Sequence, residues 1–251
     1  LDEETLNKKV EYISYNSMDV AKDTLFVCKG VHFKPEYLQS AFDKGAFCYI
    51  GERVIDESKP YIIVNKMREV LSEVGRYFYD EVWNENIDLV GITGTKGKTT
   101  TTFFVNAILE SYCREKEYVR PGLITGVYTF DGAHTDKSNN LTTPETFELH
   151  SLLNTCVDNG CKYLTMEVSS QALKFLRTSA LDYKVGAFIN IGEDHISDSE
   201  HPDMDDYLNS KAIILDQCET ACLFDDIEEQ YLNRLKDLAV AKCKKTVTFG
   251  T

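Results

Sequence analysis

The strongest constraint on the fold is a glycine-rich segment, GITGTKGKTTTTFF, at residues 91–104. It follows an apolar run, precedes a helical pattern and places glycine at every third position: Gly91, Gly94 and Gly97. Such glycines let backbone N–H groups converge on phosphate oxygens, and the following helix adds the positive end of its dipole. Lys98 is placed to reach the β and γ phosphates of a nucleotide, and the Thr99 hydroxyl to bind Mg²⁺. The segment therefore predicts a phosphate loop between a buried strand and a helix.

The loop departs from the commonest phosphate-loop spacing. The pattern G-x-x-x-x-G-K-[ST] requires glycine at position 92, which holds Ile92. A glycine-rich turn that only caps a helix is the alternative, and the adjoining lysine and threonine argue against it. The loop alone leaves the phosphate acceptor open: water, a hydroxyl, another nucleotide or a carboxylate.

The pattern of apolar runs predicts an α/β fold in two parts. Residues 11–83 suggest a small α/β unit that includes one helix over 66–83, and the polar segment NENID follows at 84–88. From Ile87 onward, apolar strands alternate with longer helices, which favours a doubly wound, mostly parallel sheet. The segment KKTVTFGT ends the chain on a new strand, so this domain is expected to be incomplete at its C-terminus. We therefore expect an N-terminal α/β domain over 1–85 and a P-loop-type sheet domain over 86–251.

Composition excludes several classes of partner. The net charge of −14, from 41 acidic and 27 basic residues, argues against binding nucleic acid, because phosphate backbones are bound by clustered Lys and Arg. No apolar run is long enough to cross a bilayer, and the charged start LDEETLNKKV is not typical of a signal peptide. The eight cysteines include no C-x-x-C pair and are interpreted as reduced, mostly buried thiols. We expect a cytoplasmic protein without membrane insertion, and nothing in the sequence argues against a monomer.

Polar clusters follow further predicted strands, and ligands of doubly wound sheets bind at the carboxyl ends of strands. TMEVSSQALKFLR ends a strand in Glu167, which suits either an Mg²⁺ ligand or a helix cap. FINIGEDHI brings Asp194 and His195 to another strand end, and Lys211 follows on a helix. A lone histidine or lysine is usually structural or solvated, and Thr142 with Thr143 before a proline is ordinary N-cap chemistry. The recurrence of such clusters at successive strand ends points to one site.

Taken together, the segments YNSMDVAKDTLFVCKG, GITGTKGKTTT, LTTPE, MEVSSQAL, FINIGEDHI and YLNSK are similar to the Mur ligase family of ATP-dependent amino-acid ligases. They resemble in particular its UDP-N-acetylmuramoyl-tripeptide synthetase (MurE) type, in the family's order, across residues 15–211. The resemblance implies an N-terminal domain for the UDP-containing substrate, a central ATP-binding domain and a C-terminal ligase domain that is absent here. It implies ligation of the third stem-peptide residue of peptidoglycan, and hence a role in cell wall synthesis, cell shape and cell division.

The resemblance also implies roles for individual residues. The ATP phosphates would be cradled by Gly94, Thr95, Lys96, Gly97, Lys98, Thr99 and Thr100. Mg²⁺ would be held by Thr99 and Glu167, with His195 and a carbamate formed from Lys211 and CO₂ at a second ion. Catalysis would rest on Lys98, Glu167, His195 and Lys211. The UDP-N-acetylmuramoyl-L-Ala-D-Glu substrate would be bound by Ser17, Thr142, Thr143, Ser169 and Arg177.

The sequence departs from the family pattern in places. Lys96 stands where the wider family commonly has Asn, Asn16 and Met18 flank Ser17 where D-S-R is frequent, and Phe175 replaces a substrate-binding Gln of some members.

Two other hypotheses stay open: a ligase of another Mur step or of the folylpolyglutamate synthetase kind, and a non-catalytic module that binds UDP-muropeptide or ATP. The amino acid added is not readable, and we expect these residues alone to be catalytically inactive.

Overall fold

The computed structural model describes residues 1–30, 33–137, 141–194, 196–197 and 200–250. The chain divides into two compact units, Leu1–Asp80 and Glu81–Thr251. No helix within the described ranges combines the length and apolar composition needed to cross a membrane.

The first unit is a parallel α/β sheet. Its described strands are β1 (Tyr12–Ser14), β2 (Thr24–Val27), β3 (Ala46–Gly51) and β4 (Tyr61–Ile63), paired in that order. Its described helices are α1 (Glu3–Leu6), α2 (Pro35–Asp43) and α3 (Met67–Phe78). Pro35 begins α2, where the missing N–H costs no hydrogen bond, and Leu38 and Ala41 of this helix pack against Phe26 and Tyr49. The sequence pattern does not predict β1, which is only three residues long.

The single helix predicted over 66–83 is wrong. Helix α3 ends at Phe78, and Asp80 and Glu81 both adopt left-handed backbone conformations, with φ of 53° and 50°. A second short helix, α4 (Val82–Asn86), then occupies much of the predicted polar break. Apolar spacing continues through this turn, so periodicity alone does not reveal the interruption.

The second unit is built on a larger sheet. Its described strands are β5 (Asp88–Thr93), β6 (Gly122–Ile124), β7 (Tyr128–Phe130), β8 (Thr135–Lys137), β9 (Tyr163–Glu167), β10 (Tyr183–Phe188), β11 (Cys218–Phe224) and β12 (Lys245–Phe249). The strand order is β12-β11-β10-β5-β9-β6-β7-β8, and only the pairs β6–β7 and β7–β8 are antiparallel among these strands. The predicted α/β fold with a mostly parallel sheet is confirmed, whereas the β7–β8 hairpin is an addition to the prediction.

Helices connect the parallel strands of this sheet. After α4, the described helices are α5 (Lys98–Glu115), α6 (Thr146–Asp158), α7 (Ser170–Lys174), α8 (Met204–Ala212) and α9 (Glu229–Lys242), and a 3₁₀ turn follows α8 at Ile213–Gln217. The central strand β5 lies between β10 and β9, so that Ile92 pairs with Ala187 on one side and Glu167 on the other. The carboxyl ends of these three strands meet at the phosphate loop, which places the candidate site there.

Candidate functional site

The predicted phosphate loop connects β5 to α5 directly. Gly97, at the N-cap of α5, has φ of +78°, a left-handed conformation that favours glycine. Gly94 packs so closely on the end of β10 that a Cβ there would lie 2.6 Å from Ile189 Cγ1. Both glycines are therefore required by the path of the backbone, independently of any ligand.

Asn190, at the end of β10, fixes this loop. Its Oδ1 accepts hydrogen bonds from the N–H groups of Thr95 (2.8 Å) and Lys96 (2.9 Å), and its Nδ2 donates to the Lys96 carbonyl (2.8 Å). A role for Asn190 was not predicted from the sequence, although the residue lies within the segment FINIGEDHI. A neutral amide at a strand end next to a phosphate loop is the signal that would have found it.

The Glu167 carboxylate is brought to the first turn of α5. The Thr99 hydroxyl donates to Glu167 Oε2 at 3.0 Å, and the Gly126 N–H donates to Oε1 at 3.0 Å. Glu167 is only 2% exposed. A buried carboxylate beside a hydroxyl supplies hard oxygen ligands of the kind that Mg²⁺ prefers. Within the described residues, no group of three or more His, Cys, Asp or Glu side chains could hold a metal ion.

Lys98 begins α5 and turns back over the loop. Its Nζ donates to the carbonyls of Gly94 (3.0 Å) and Thr95 (3.1 Å). Burial lowers the pKa of Lys98, and the Glu167 carboxylate opposes this effect. The Lys98 ammonium therefore lies inside the loop, where it would attract an anionic ligand.

Lys211, in the last turn of α8, reaches the same loop. Its Nζ donates to the Gly94 carbonyl at 2.9 Å and lies 4.4 Å from the centre of the Tyr207 ring. The residue is 1% exposed. Burial, and then repulsion by the Lys98 ammonium, lower the pKa of Lys211 to about 7, while Asp194 acts in the opposite direction. Near neutral pH a substantial fraction of this amine is therefore uncharged and nucleophilic.

Several predicted substrate residues form one hydrogen-bonded group beside Glu167. The Thr143 hydroxyl donates to the Glu167 carbonyl (2.9 Å) and accepts from the Ser169 N–H (3.0 Å). Arg177 Nη1 donates to the Thr143 carbonyl at 3.4 Å, and its Nη2 pairs with Glu145 at 2.6 Å. The Ser169 hydroxyl accepts a hydrogen bond from the Ala172 N–H at 3.1 Å and thereby caps α7. Ser169 therefore also has the structural role that is common for serine at the start of a helix.

The remaining predicted residues lie farther from this group or outside it. Lys96 is exposed and forms an ion pair with Asp194 at 2.7 Å, and Thr100 is exposed on the first turn of α5. Thr142 is half-buried next to Gly126. Ser17 lies in the first unit, where its carbonyl accepts from Lys44 Nζ at 2.8 Å. His195 falls outside the described residues.

A match to a model of a known protein family identifies the family of this chain. Residues 92–251 match the model of the Mur ligase middle domain. This chain belongs to the Mur ligase family. The matched range contains the phosphate loop, Glu167 and Lys211, whereas Ser17 precedes it.

Individual Mur ligases are similar over most of this chain. The UDP-N-acetylmuramoyl-L-alanyl-D-glutamate–L-lysine ligase of Enterococcus faecalis is 37% identical over 245 residues, which cover 97% of this chain and 47% of that protein. The UDP-N-acetylmuramyl-tripeptide synthetase of Limosilactobacillus reuteri is 42% identical over 207 residues, covering 81% of this chain and 39% of that protein. The chain therefore spans less than half the length of these relatives.

Solved Mur ligase structures share the fold. A UDP-N-acetylmuramoyl-L-alanyl-D-glutamate–2,6-diaminopimelate ligase matches with a TM-score of 0.78 and 18% identity, over 95% of this chain and 48% of that one. The MurF ligase of Thermotoga maritima, solved in complex with ADP, matches with a TM-score of 0.59 and 20% identity, over 100% of this chain and 52% of that one.

Proposed function

We propose that this Mur ligase chain supplies the UDP-substrate and ATP-binding parts of a cytoplasmic ligase that adds the third residue of the peptidoglycan stem peptide. The observation that carries the proposal is the meeting of Lys98, Lys211 and the Thr99–Glu167 pair at one phosphate loop. The names of the similar proteins support UDP-N-acetylmuramoyl-L-Ala-D-Glu as the substrate. Most of the similar proteins whose names include the added amino acid give it as L-lysine. We therefore propose L-lysine as the amino acid.

ATP is the proposed phosphoryl donor, bound with its phosphates in the loop Gly94–Thr100. The loop N–H groups, the start of α5 and the Lys98 ammonium attract phosphate oxygens. Mg²⁺ fits beside Thr99 and Glu167, because a buried carboxylate already hydrogen-bonded to a hydroxyl offers two oxygen ligands at one point. When bound there, the ion would neutralise charge on the phosphates.

Lys211 is proposed to carry a carbamate. The neutral amine attacks CO₂, an N–C bond forms while one C=O π bond opens, and the nitrogen loses a proton, so that the neutral amine becomes an anionic carbamate. A pKa of about 7 makes the neutral amine available near neutral pH. The change also removes the repulsion between Lys211 and Lys98, which both donate to the Gly94 carbonyl.

The substrate residues are proposed to place the acceptor carboxylate opposite the γ-phosphate. The Thr143 hydroxyl donates to the Glu167 carbonyl and accepts from the Ser169 N–H, so the proposed substrate residues lie beside the proposed metal ligand at the end of β9. A carboxylate oxygen then attacks the γ-phosphorus as the bond to ADP breaks, giving an acyl phosphate. The amine of the incoming amino acid attacks the acyl carbon, phosphate leaves, and the amine loses a proton. The protein contributes positioning and charge neutralisation.

The test of this function is ATP-dependent ligation by the full-length protein that contains residues 1–251. Lys98→Ala is expected to abolish ligation of L-lysine to UDP-N-acetylmuramoyl-L-Ala-D-Glu while the protein still folds, because it removes the cation placed at the phosphates. Lys184→Ala is the matched control, since that exposed side chain lies at the start of β10 and pairs with Glu219, away from the loop. Near-normal turnover by Lys98→Ala, or turnover without ATP, would refute the proposal. Diaminopimelate and folate-based acceptors, offered in parallel, test the substrate.

A further inference from the structure

A buried histidine outside the proposed ligand set lies between α7 and α8. His201 is fully buried, with Nδ1 2.6 Å from Asp206 Oδ2 and Nε2 2.9 Å from Ser170 Oγ. Hydrogen bonds from Lys174 and then from His201 hold the pKa of Asp206 below its usual range. An ionised carboxylate only accepts hydrogen bonds, so Nδ1 carries a hydrogen, and in the neutral ring Nε2 accepts from the Ser170 hydroxyl. The ring is thus fixed at both nitrogens.

This triplet has the order of nucleophile, base and carboxylate found in hydrolytic sites. Ser170 is only 5% exposed and His201 is fully buried, so a substrate has no access to the hydroxyl or the imidazole. The arrangement therefore serves to hold the ring in place rather than to carry out a reaction.

From this ring a chain of contacts leads to the phosphate loop. The ring centres of His201 and Tyr207 are 4.9 Å apart, and Tyr207 is fully buried. Lys211 Nζ lies 4.4 Å from the Tyr207 ring centre and donates to the Gly94 carbonyl of the loop. Tyr207 consequently lies between the His201 ring and the amine that reaches the loop.

We propose that His201 is a positioning residue for Lys211: Asp206 and Ser170 fix its ring, the ring supports Tyr207, and Tyr207 holds the Lys211 side chain against the phosphate loop. The effect on ligation rests on the proposed function. The effect on the position of Lys211 does not, so the two can be tested apart.

The position of Lys211 is measured by NMR of the 251-residue chain with ¹³C-labelled lysine. An aromatic ring shifts protons over its face upfield, so the Lys211 ε-CH₂ signal, assigned with Lys211→Arg, is expected upfield of the exposed lysines. In His201→Leu most of this displacement should be lost, while the Lys98 signal stays unchanged because Lys98 is held by the loop carbonyls. His201→Phe, which also lacks both nitrogens, should shift the signal in the same direction if His201→Leu does not fold.

Arg234→Met is the matched control. It removes two hydrogen bonds from α9 to α8, at Asp205 and Asn209, but Arg234 bonds neither Asp206 nor the His201–Tyr207–Lys211 chain. Under the proposal it loosens the α8–α9 packing and leaves the Lys211 signal in place. An unchanged Lys211 signal in the His201 variants, equal shifts of Lys98 and Lys211, or the same effect from Arg234→Met would overturn the proposal.

Kinetics of the full-length protein give the functional readout. His201→Leu is expected to lower kcat about tenfold or more with little change in KM for ATP, because a misplaced group affects the transition state more than ground-state binding. Loss of folded protein with unchanged kcat per folded molecule would contradict a positioning role. If the wild-type protein does not ligate, the proposed function fails, and the NMR comparison alone decides the role of His201.

Discussion

The buried amine of Lys211 makes a quantitative prediction about stability and pH. Its pKa falls from an ordinary value of 10.5 to about 7 on folding. Between these values the unfolded chain binds a proton at this site and the folded chain does not, so stability rises with pH across that window. Below pH 7 both states bind the proton, and burying the charged amine then lowers the free energy of unfolding by its full amount. The difference between a pKa of 10.5 and one of about 7, at about 1.4 kcal/mol per pH unit, corresponds to about 5 kcal/mol.

Lys211→Met removes this titration while keeping an unbranched side chain. The free energy of unfolding of the wild type, minus that of the variant, should increase by about 3 kcal/mol between about pH 7 and pH 9.5. Ionisations that do not interact with Lys211 cancel in this difference. Near pH 7 the variant should be the more stable, since the lost hydrogen bond to Gly94 offsets only about 1 kcal/mol.

Urea unfolding monitored by tryptophan fluorescence is the assay. Trp83 is the one tryptophan of the sequence, is fully buried and lies in the same unit as Lys211, so its signal reports on the relevant unit. Buffers free of CO₂ and containing a chelator keep the amine unmodified and metal-free. A stability difference that does not vary with pH would refute the burial of an amine with a lowered pKa.

Three further predictions concern the loop and the sheet. Asn190→Ala should weaken ADP binding by about tenfold or more, measured by calorimetry, because three hydrogen bonds that fix the loop are lost; unchanged affinity would contradict this role. Glu167→Gln should remove most of the dependence of ADP affinity on Mg²⁺, and an unaltered dependence would rule Glu167 out as a ligand. Gly91→Ala should lower the free energy of unfolding by about 1–3 kcal/mol, since its Cβ would lie 2.7 Å from Tyr183 Cε1; wild-type stability would mean that the ring moves freely.

Local sequence carried enough information to predict the phosphate loop and the strand ends. The glycines, Lys98 and Thr99 are contiguous, and the rule that ligands bind at the carboxyl ends of strands led to Glu167 before its contact with Thr99 was known. The parallel sheet followed from the alternation of apolar strands and helices.

Contacts between distant segments could not be predicted in the same way. Asn190 is 95 residues from Thr95, and Lys211 is 117 residues from Gly94, so no spacing rule relates them. The placement of Tyr207 between His201 and Lys211 depends on how α7 packs on α8, and a periodic sequence pattern does not specify that packing. The helix break at Asp80 was missed for a related reason, because apolar spacing continues through it.

The central claim, activation of a carboxylate by the γ-phosphate of ATP, is tested most directly by oxygen transfer. UDP-N-acetylmuramoyl-L-Ala-D-Glu labelled with ¹⁸O in its carboxylates is ligated to L-lysine by the full-length protein, and the released phosphate is analysed by mass spectrometry. An acyl phosphate intermediate requires one ¹⁸O atom from the acceptor carboxylate in each phosphate released. Ligation that yields phosphate without ¹⁸O would contradict the account.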